Sequence, residues 1–480
     1  MATLSNLTQA YRFPVDLLNR HPVHQRLALF LVCFATSFLI FFFRNPDPFI
    51  NPVFYTEDGR DYVGRILSQG FWSALFHARP DYFVFGNILL TGIALVVNNL
   101  FYSDSILYLP QTIAIISYLF YAFVTTLPIL LFADRIKTSY LIALALISTF
   151  FPLHSSDFEV LGRISNVGYA FIYIAFLLIA YRIFFASNRL TIAIDLLILI
   201  CASTNPVVYL IFPVIYLPYL KQYFIDRVPL YRIFKNHSFL SAVVLGTIVL
   251  LQISTITTTG SGLNSMDVPF DFSNAIEMLI ARSMLYPVIY SIYTRMNDLI
   301  VILLFAIIII GFIRLGNKNN YGLYIFGFYS LVTLTISAAR FRPVLSSALN
   351  NYSTTWPDRY YYGQNLLVTF LIILLFNDIS DRVKLPSVRK ALLVGMLVIF
   401  LADLQKISTY GQPASSLREI GNFEQTLVAA LKEKEALSIN DELIELPIYP
   451  PPTWKMTIPR DLAEKSAARG KLIKILDKCS

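Results

Sequence analysis

Charge is what this 480-residue chain has least of. Only 14% of its residues are charged and 56% are hydrophobic, whereas soluble domains carry roughly 25% charged residues. That balance excludes a water-soluble globular fold. Apolar runs near membrane-spanning length recur along the chain and read as transmembrane helices. Cysteine is almost missing: Cys33, Cys201 and Cys479 are the full set. Two lie in or beside apolar runs and one at the far end, which leaves no disulfide framework and no cysteine metal motif. The five histidines, His21, His24, His77, His154 and His237, show no His-x-x-x-His spacing, so a zinc site is not expected. There is no P-loop and no Gly-x-Gly-x-x-Gly fingerprint, which disfavours nucleotide-driven chemistry on the cytoplasmic side. The net charge of +8 does not imply nucleic acid, because the basic residues sit in short loops between apolar runs, where they set topology.

Roughly eleven crossings are expected, at 27–43, 106–132, 139–153, 167–185, 190–202, 207–220, 239–256, 299–313, 321–338, 362–376 and 391–404, the short ones open to being half-helices. The run 84–102 contains Gly86, Asn87, Gly92, Asn98 and Asn99 and makes a poor lipid-facing span. It reads as an interfacial or re-entrant helix, with a full crossing as the rival. The basic segments 1–26, 133–138, 182–189, 221–238, 314–320 and 378–390 share one side only if 84–102 does not cross, and that side is then the cytoplasm. The outer face receives the loops 44–83, 154–166, 257–298 and 339–361 and the tail from Gln405. The polar start of the chain carries no cleavage pattern, so the first span is expected to be retained.

The expected fold class is therefore an all-α polytopic membrane protein, with a transmembrane catalytic domain over 1–404 and a small C-terminal α/β outer domain over 405–480. In that tail 421–437 has helical periodicity, and 443–448 and 454–458 alternate like short strands around Pro450-Pro451-Pro452. Within the first outer loop, 62–69 and 71–77 read as amphipathic helices lying on the membrane. The three tryptophans, Trp72, Trp356 and Trp454, all fall on the outer face, as interface-belt residues or as faces on which a sugar ring stacks.

Chemistry concentrates in the outer loops. The first carries Tyr55-Thr56-Glu57-Asp58-Gly59-Arg60-Asp61 after a Pro-rich strip. In an extended segment Glu57 and Asp58 point opposite ways, so one faces a substrate while the other orients it or pairs with Arg60. A carboxylate partly desolvated by Phe54 and Tyr55 has a raised pKa suited to general-base work; an ordinary solvated loop is the competing reading. Gly59 permits a tight turn. The second loop places Asp157, Glu159 and Arg163 almost at membrane level, where charges are functional or closed into an Asp157–Arg163 or Glu159–Arg163 pair. The last loop carries Arg340, Arg342, Asp358 and Arg359 ahead of Tyr360-Tyr361-Tyr362. Arginine suits bidentate phosphate recognition, with interfacial snorkelling as the plainer account.

The Tyr-Thr-Glu-Asp-Gly strip, the Asn166-Val167-Gly168-Tyr169 helix start, the Arg359-Tyr360-Tyr361-Tyr362 strip and the Pro-Trp tail resemble the GT-C superfamily of membrane glycosyltransferases, most narrowly the bacterial and phage serotype-converting O-antigen glucosyltransferases. The resemblance implies transfer of a monosaccharide, glucose by likeness, from a polyprenyl-phosphate donor to a periplasmic glycan such as O-antigen, in a bacterial inner membrane with the N-terminus cytoplasmic and the C-terminus periplasmic. It implies Glu57 or Asp58 as base, Arg359 with Arg340 or Arg342 on the donor phosphate, and Asp157, Glu159 and Arg163 as a second acidic loop toward the acceptor. A donor synthase and a donor flippase are the implied partners. The first loop lacks Asp-x-Asp, so neither a metal nor another cofactor is expected. A flippase of lipid-linked glycans, a polymerase using lipid-pyrophosphate donors and a non-catalytic assembly or immunity protein are the rival readings.

Overall fold

The computed structural model describes residues 23–77, 83–103, 105–153, 157–185, 190–259, 270–341, 358–401, 423–436, 442–450 and 453–479. It is 81% helical with one two-stranded sheet. The principal elements in chain order are α1 (Val23–Arg44), α2 (Phe85–Tyr102), α3 (Leu109–Phe132), α4 (Thr138–Thr149), α5 (Val167–Phe184), α6 (Thr191–Ala202), α7 (His237–Thr259), α8 (Asp298–Leu315), α9 (Tyr321–Phe341), α10 (Tyr362–Arg382), α11 (Pro386–Phe400), α12 (Phe423–Ala436), β1 (Leu443–Pro447), β2 (Lys455–Pro459) and α13 (Arg460–Cys479).

Eight helices among the described residues are long and apolar enough to cross a membrane: seven of the eleven expected spans, and α2, which was expected not to cross; the other four expected spans are shorter or broken. The difference has local causes. Helices α4 and α6 hold 12 residues each and α11 holds 15. The segment expected at 207–220 is three short pieces, Val208–Ile211, a 3-10 turn Phe212–Tyr216 and Leu217–Phe224, with Pro213 and Pro218 each removing a backbone donor at a join. Helix α8 turns one whole face outward: Leu299, Ile307 and Ile313 are 68%, 64% and 63% exposed. Such a surface is stable against lipid and not against water. Helix α10 is the opposite case, buried along most of its length. Phe370 of α10 packs on Phe132 of α3 and Phe176 of α5, and Gly363 lets α10 approach so closely that a Cβ there would lie 2.3 Å from the Tyr169 carbonyl oxygen of α5. Small residues at helix crossings are how membrane helices gain van der Waals contact.

Helices α1 and α3 run antiparallel. An Arg26–Asp134 ion pair closes one end; at the other the Tyr118 hydroxyl donates to the Asn45 carbonyl at 2.5 Å. The second end also holds the 150–166 loop: Arg44 donates to the carbonyls of Thr149 (2.5 Å) and Phe151 (3.1 Å), and Asn45 Nδ2 to Leu161 O (2.9 Å). Both ends of α2 lie at this same end of the bundle. Near its start Asn87 Nδ2 donates to Ile164 O at 2.7 Å. Just past its end Arg469 of α13 donates to Ser103 O at 3.0 Å, and Ile106 N–H to the Ser466 hydroxyl at 3.1 Å.

The C-terminal elements form a small unit on that end. β1 and β2 pair antiparallel with Leu443 opposite Pro459 and Pro447 opposite Lys455. Ile444, Leu446, Met456 and Ile458 point inward and join one core with the helices. The alternation expected for the two strands and the helix over 421–437 are present; α13 was not anticipated.

Candidate functional site

The acidic strip is helical where it was read as extended. Thr56 adopts φ +35°, and a π-helical turn then runs Asp58–Val63, followed by Gly64–Gln69 and Phe71–Phe76. The helical start separates the two carboxylates by depth: Asp58 is 2% exposed and Glu57 is half-buried. Gly59 matters through contact, since a Cβ there would lie 2.7 Å from Ile448 Cδ1 and 3.0 Å from Phe54 Cβ. Neither carboxylate pairs with Arg60, which salt-bridges Asp61 at 2.8 Å and lies 4.1 Å from the Trp454 ring centroid.

Asp58 is held by the second outer loop. Both of its oxygens accept from the Ile164 N–H at 3.2 Å. The loop presents that donor because its carbonyls are engaged elsewhere: Asn45 holds Leu161 O, Ser117 holds Arg163 O at 2.8 Å, Asn87 holds Ile164 O and Asn166 holds Glu159 O at 2.9 Å. Gly162 makes the bend with φ +81°, and a Cβ there would meet Pro48 Cγ and the Tyr118 hydroxyl at 2.7 Å. Burial pushes the Asp58 carboxyl up to about 7, against the Arg163 charge and the Ile164 N–H, which favour the ionised form; the Glu57 charge adds to the rise. A carboxylate so placed takes up a proton near neutral pH, which an exposed aspartate does not.

Arg163 is 3% exposed. It donates to Val53 O at 2.8 Å and sits 5.2 Å from the Tyr55 ring centroid. The Glu159–Arg163 pair expected for it does not form: Glu159 instead pairs with Arg359 and accepts from the Tyr55 hydroxyl at 3.1 Å. Burial pushes the Tyr55 phenol up to about 12, so it stays a donor to Glu159. The Tyr55 ring stacks on Tyr449 of the C-terminal unit, 5.7 Å between centroids, and backbone bonds Thr56 N–H to Tyr449 O (2.8 Å) and Tyr449 N–H to Phe54 O (3.1 Å) fix that contact.

The structure thus gathers Asp58, Arg163, Glu159 and Arg359 around Tyr55. Arg342, Trp356 and the side chains of Asp157, Arg340 and Asp358 lie outside the described residues. Trp72 is 69% exposed and stacks on Phe76, as a belt residue does. Sequence reading missed Arg282, which is fully buried in a π-helical stretch, Met278–Leu285. Its guanidinium lies 3.7, 5.5 and 4.8 Å from the rings of Tyr286, Tyr293 and Tyr361, and Tyr361 shares a 3-10 turn with Arg359. The signal was there, since Arg282 is the one charge in Met278–Leu285 and a charge at membrane level is seldom idle. Among the described residues no three His, Cys, Asp or Glu side chains gather as a metal site.

An apolar cavity of about 410 Å³ opens between α1, α2, α3, α5 and α6, with Phe34, Leu90, Phe120, Phe171 and Leu197 in its wall. Phe171 is one helical turn from Val167, where α5 leaves the loop that holds Asp58. No family model, curated protein or solved structure matches the chain.

Proposed function

We propose that the chain is a polyprenyl-phosphate-sugar-dependent glycosyltransferase of the inner membrane of a bacterium, working at the Asp58 end of the bundle. That end is the periplasmic face in this reading, and α2 lies along the interface without crossing. The observation that carries the proposal is Asp58 itself: a buried carboxylate poised near neutrality at the end of a membrane bundle, with two arginines gathered around the adjoining Tyr55. The acceptor hydroxyl attacks the anomeric carbon and passes its proton to Asp58. The bond from that carbon to the donor phosphate oxygen breaks, and the polyprenyl phosphate leaves with its charge facing Arg359. Arg359 is held by Glu159 and the Tyr360 ring, which pre-orients it for a phosphate. The apolar cavity suits the isoprenoid chain of the donor, and the C-terminal unit around Tyr449 and Trp454 suits the glycan acceptor. Asp58 is chosen over Glu57 because burial tunes it to the working pH. In this structure Asp58 is 2% exposed, so acceptor entry has to part the first-loop packing around it.

The test is transfer of radiolabelled sugar from synthetic polyprenyl-phosphate glucose to isolated O-antigen. The Asp58→Asn protein is expected to lose about 10²–10⁴-fold in rate, with Glu57→Gln within about tenfold of wild type. The wild-type rate is expected to rise with pH and level off above about 7. No transfer from any polyprenyl-phosphate sugar sinks the donor assignment and brings the flippase and polymerase readings forward.

A further inference from the structure

The bundle end opposite Asp58 carries a surface that the proposed reaction does not use. The pieces from Val208 to Phe224 start beside Asn205, whose Nδ2 donates to Gly168 O at 3.0 Å near the Asp58 loop, and run toward the other end. There the chain turns, forms the short helix Leu230–Phe234 and enters α7 at His237. Buried contacts beneath pin the turn. Ile233 is 3% exposed, Phe239 packs edge-on against both Phe234 and Tyr219, and Arg182 of α5 reaches Ser238 O at 2.7 Å while salt-bridging Asp195 of α6 at 2.5 Å.

The outward side is apolar and basic at once. Phe224, Ile225, Leu230, Tyr231 and Phe234 are exposed, as are Arg227, Arg232 and Lys235. Between 221 and 235 the sequence holds four basic residues and a single acidic one, Asp226. Arg232 and Lys235 each lie 5.9 Å from the exposed Tyr231 ring, and the Arg232 Nε donates to its hydroxyl at 3.2 Å. Among the described residues no carboxylate salt-bridges Arg227, Arg232 or Lys235.

We propose that the 217–235 turn is a binding site for anionic phospholipid, with Phe224, Leu230 and Phe234 set among the acyl chains and Arg227, Arg232 and Lys235 on the headgroup phosphates. An interfacial segment with exposed rings and aliphatics wants the headgroup–acyl boundary, and clustered basic residues at that depth select anionic over zwitterionic lipid. A soluble anion satisfies the cations and leaves the apolar residues in water, so the lipid accounts for both halves of the surface. The proposal is independent of the sugar-transfer reading.

The full chain is purified in a neutral detergent and its thermal unfolding followed while phosphatidylglycerol, phosphatidylcholine or inorganic phosphate is added. Phosphatidylglycerol is expected to raise the midpoint by several degrees more than phosphatidylcholine, and phosphate alone to leave it unmoved. An Arg227→Gln/Arg232→Gln/Lys235→Gln protein is expected to lose at least half of the phosphatidylglycerol-specific rise. A Lys318→Gln/Lys384→Gln/Lys390→Gln protein, altered at exposed lysines elsewhere, is expected to keep it. The proposal is overturned if the first triple variant responds like wild type, if the second loses as much as the first, or if phosphate alone reproduces the rise.

Discussion

Ile448 leaves no room for a side chain on Gly59: a Cβ at that glycine would lie 2.7 Å from the Ile448 Cδ1 methyl. This contact presses the strand–turn of the C-terminal unit directly onto the turn that carries Asp58. Gly59→Ala is expected to cost about 1–3 kcal/mol, because both neighbours are buried and overpacking forces a shift. Thermal unfolding of the single variant beside Gly59→Ala/Ile448→Val checks it. Trimming the Cδ1 methyl is expected to restore part of the loss, and an undisturbed single variant refutes the packing account.

Asp58 makes stability depend on pH in a stated direction. Its native pKa of about 7 lies above the ordinary carboxylate value of roughly 4, so the folded chain binds the proton more tightly than the unfolded one. Stability is therefore highest below roughly pH 4 as far as this group is concerned, and falls as pH rises to about 7. Asp58→Asn cannot ionise and keeps an oxygen for the Ile164 N–H. It is expected to be more stable than wild type at pH 8, by at most about 4 kcal/mol, with the advantage vanishing near pH 4. Melting curves across that range decide it; an advantage that does not change with pH rules the linkage out.

Glu159 and Arg359 come from loops two hundred residues apart and form one ion pair, both mostly buried. Removing either partner strands the other charge. A double-mutant cycle of Glu159→Gln and Arg359→Gln, read by unfolding, is expected to give a coupling of about 0.5–3 kcal/mol. Strict additivity of the two substitutions counts against the pair.

Both ends of α2 touch elements of the Asp58 end, so a helix of spanning length is expected to begin and end on one side of the membrane. A cysteine at Ser103, in a background with Cys33, Cys201 and Cys479 replaced, is expected to react with an impermeant maleimide from the same side as one at His77. A cysteine at Lys318 is expected to react from the other side only. Labelling of Ser103 with Lys318 and apart from His77 overturns this topology.

Much of the fold was legible. Long apolar runs are a one-dimensional signal. The strands of the tail showed through their alternation of period two. The break within 207–220 was less legible, because Pro213 and Pro218 interrupt an apolar run without making it any less apolar. α13 was missed because its residues are largely polar, and it is seated by side chains such as Ser466 meeting Ile106 from far away in sequence. The site was half visible: Glu57-Asp58 stood out as charge in an apolar chain, but an extended reading gave the two carboxylates equal standing.

By itself the sequence determined that this is a helical membrane protein with its acidic strip outside the apolar runs, because hydrophobicity and charge act residue by residue and need no partner. Only the tertiary structure decided that Asp58 is buried and Glu57 half-buried, that Arg359 answers Glu159, and that Tyr449 roofs Tyr55. Those outcomes depend on which loop donates an N–H and which ring excludes water. Such contacts join residues one hundred to four hundred positions apart, and no local pattern encodes them.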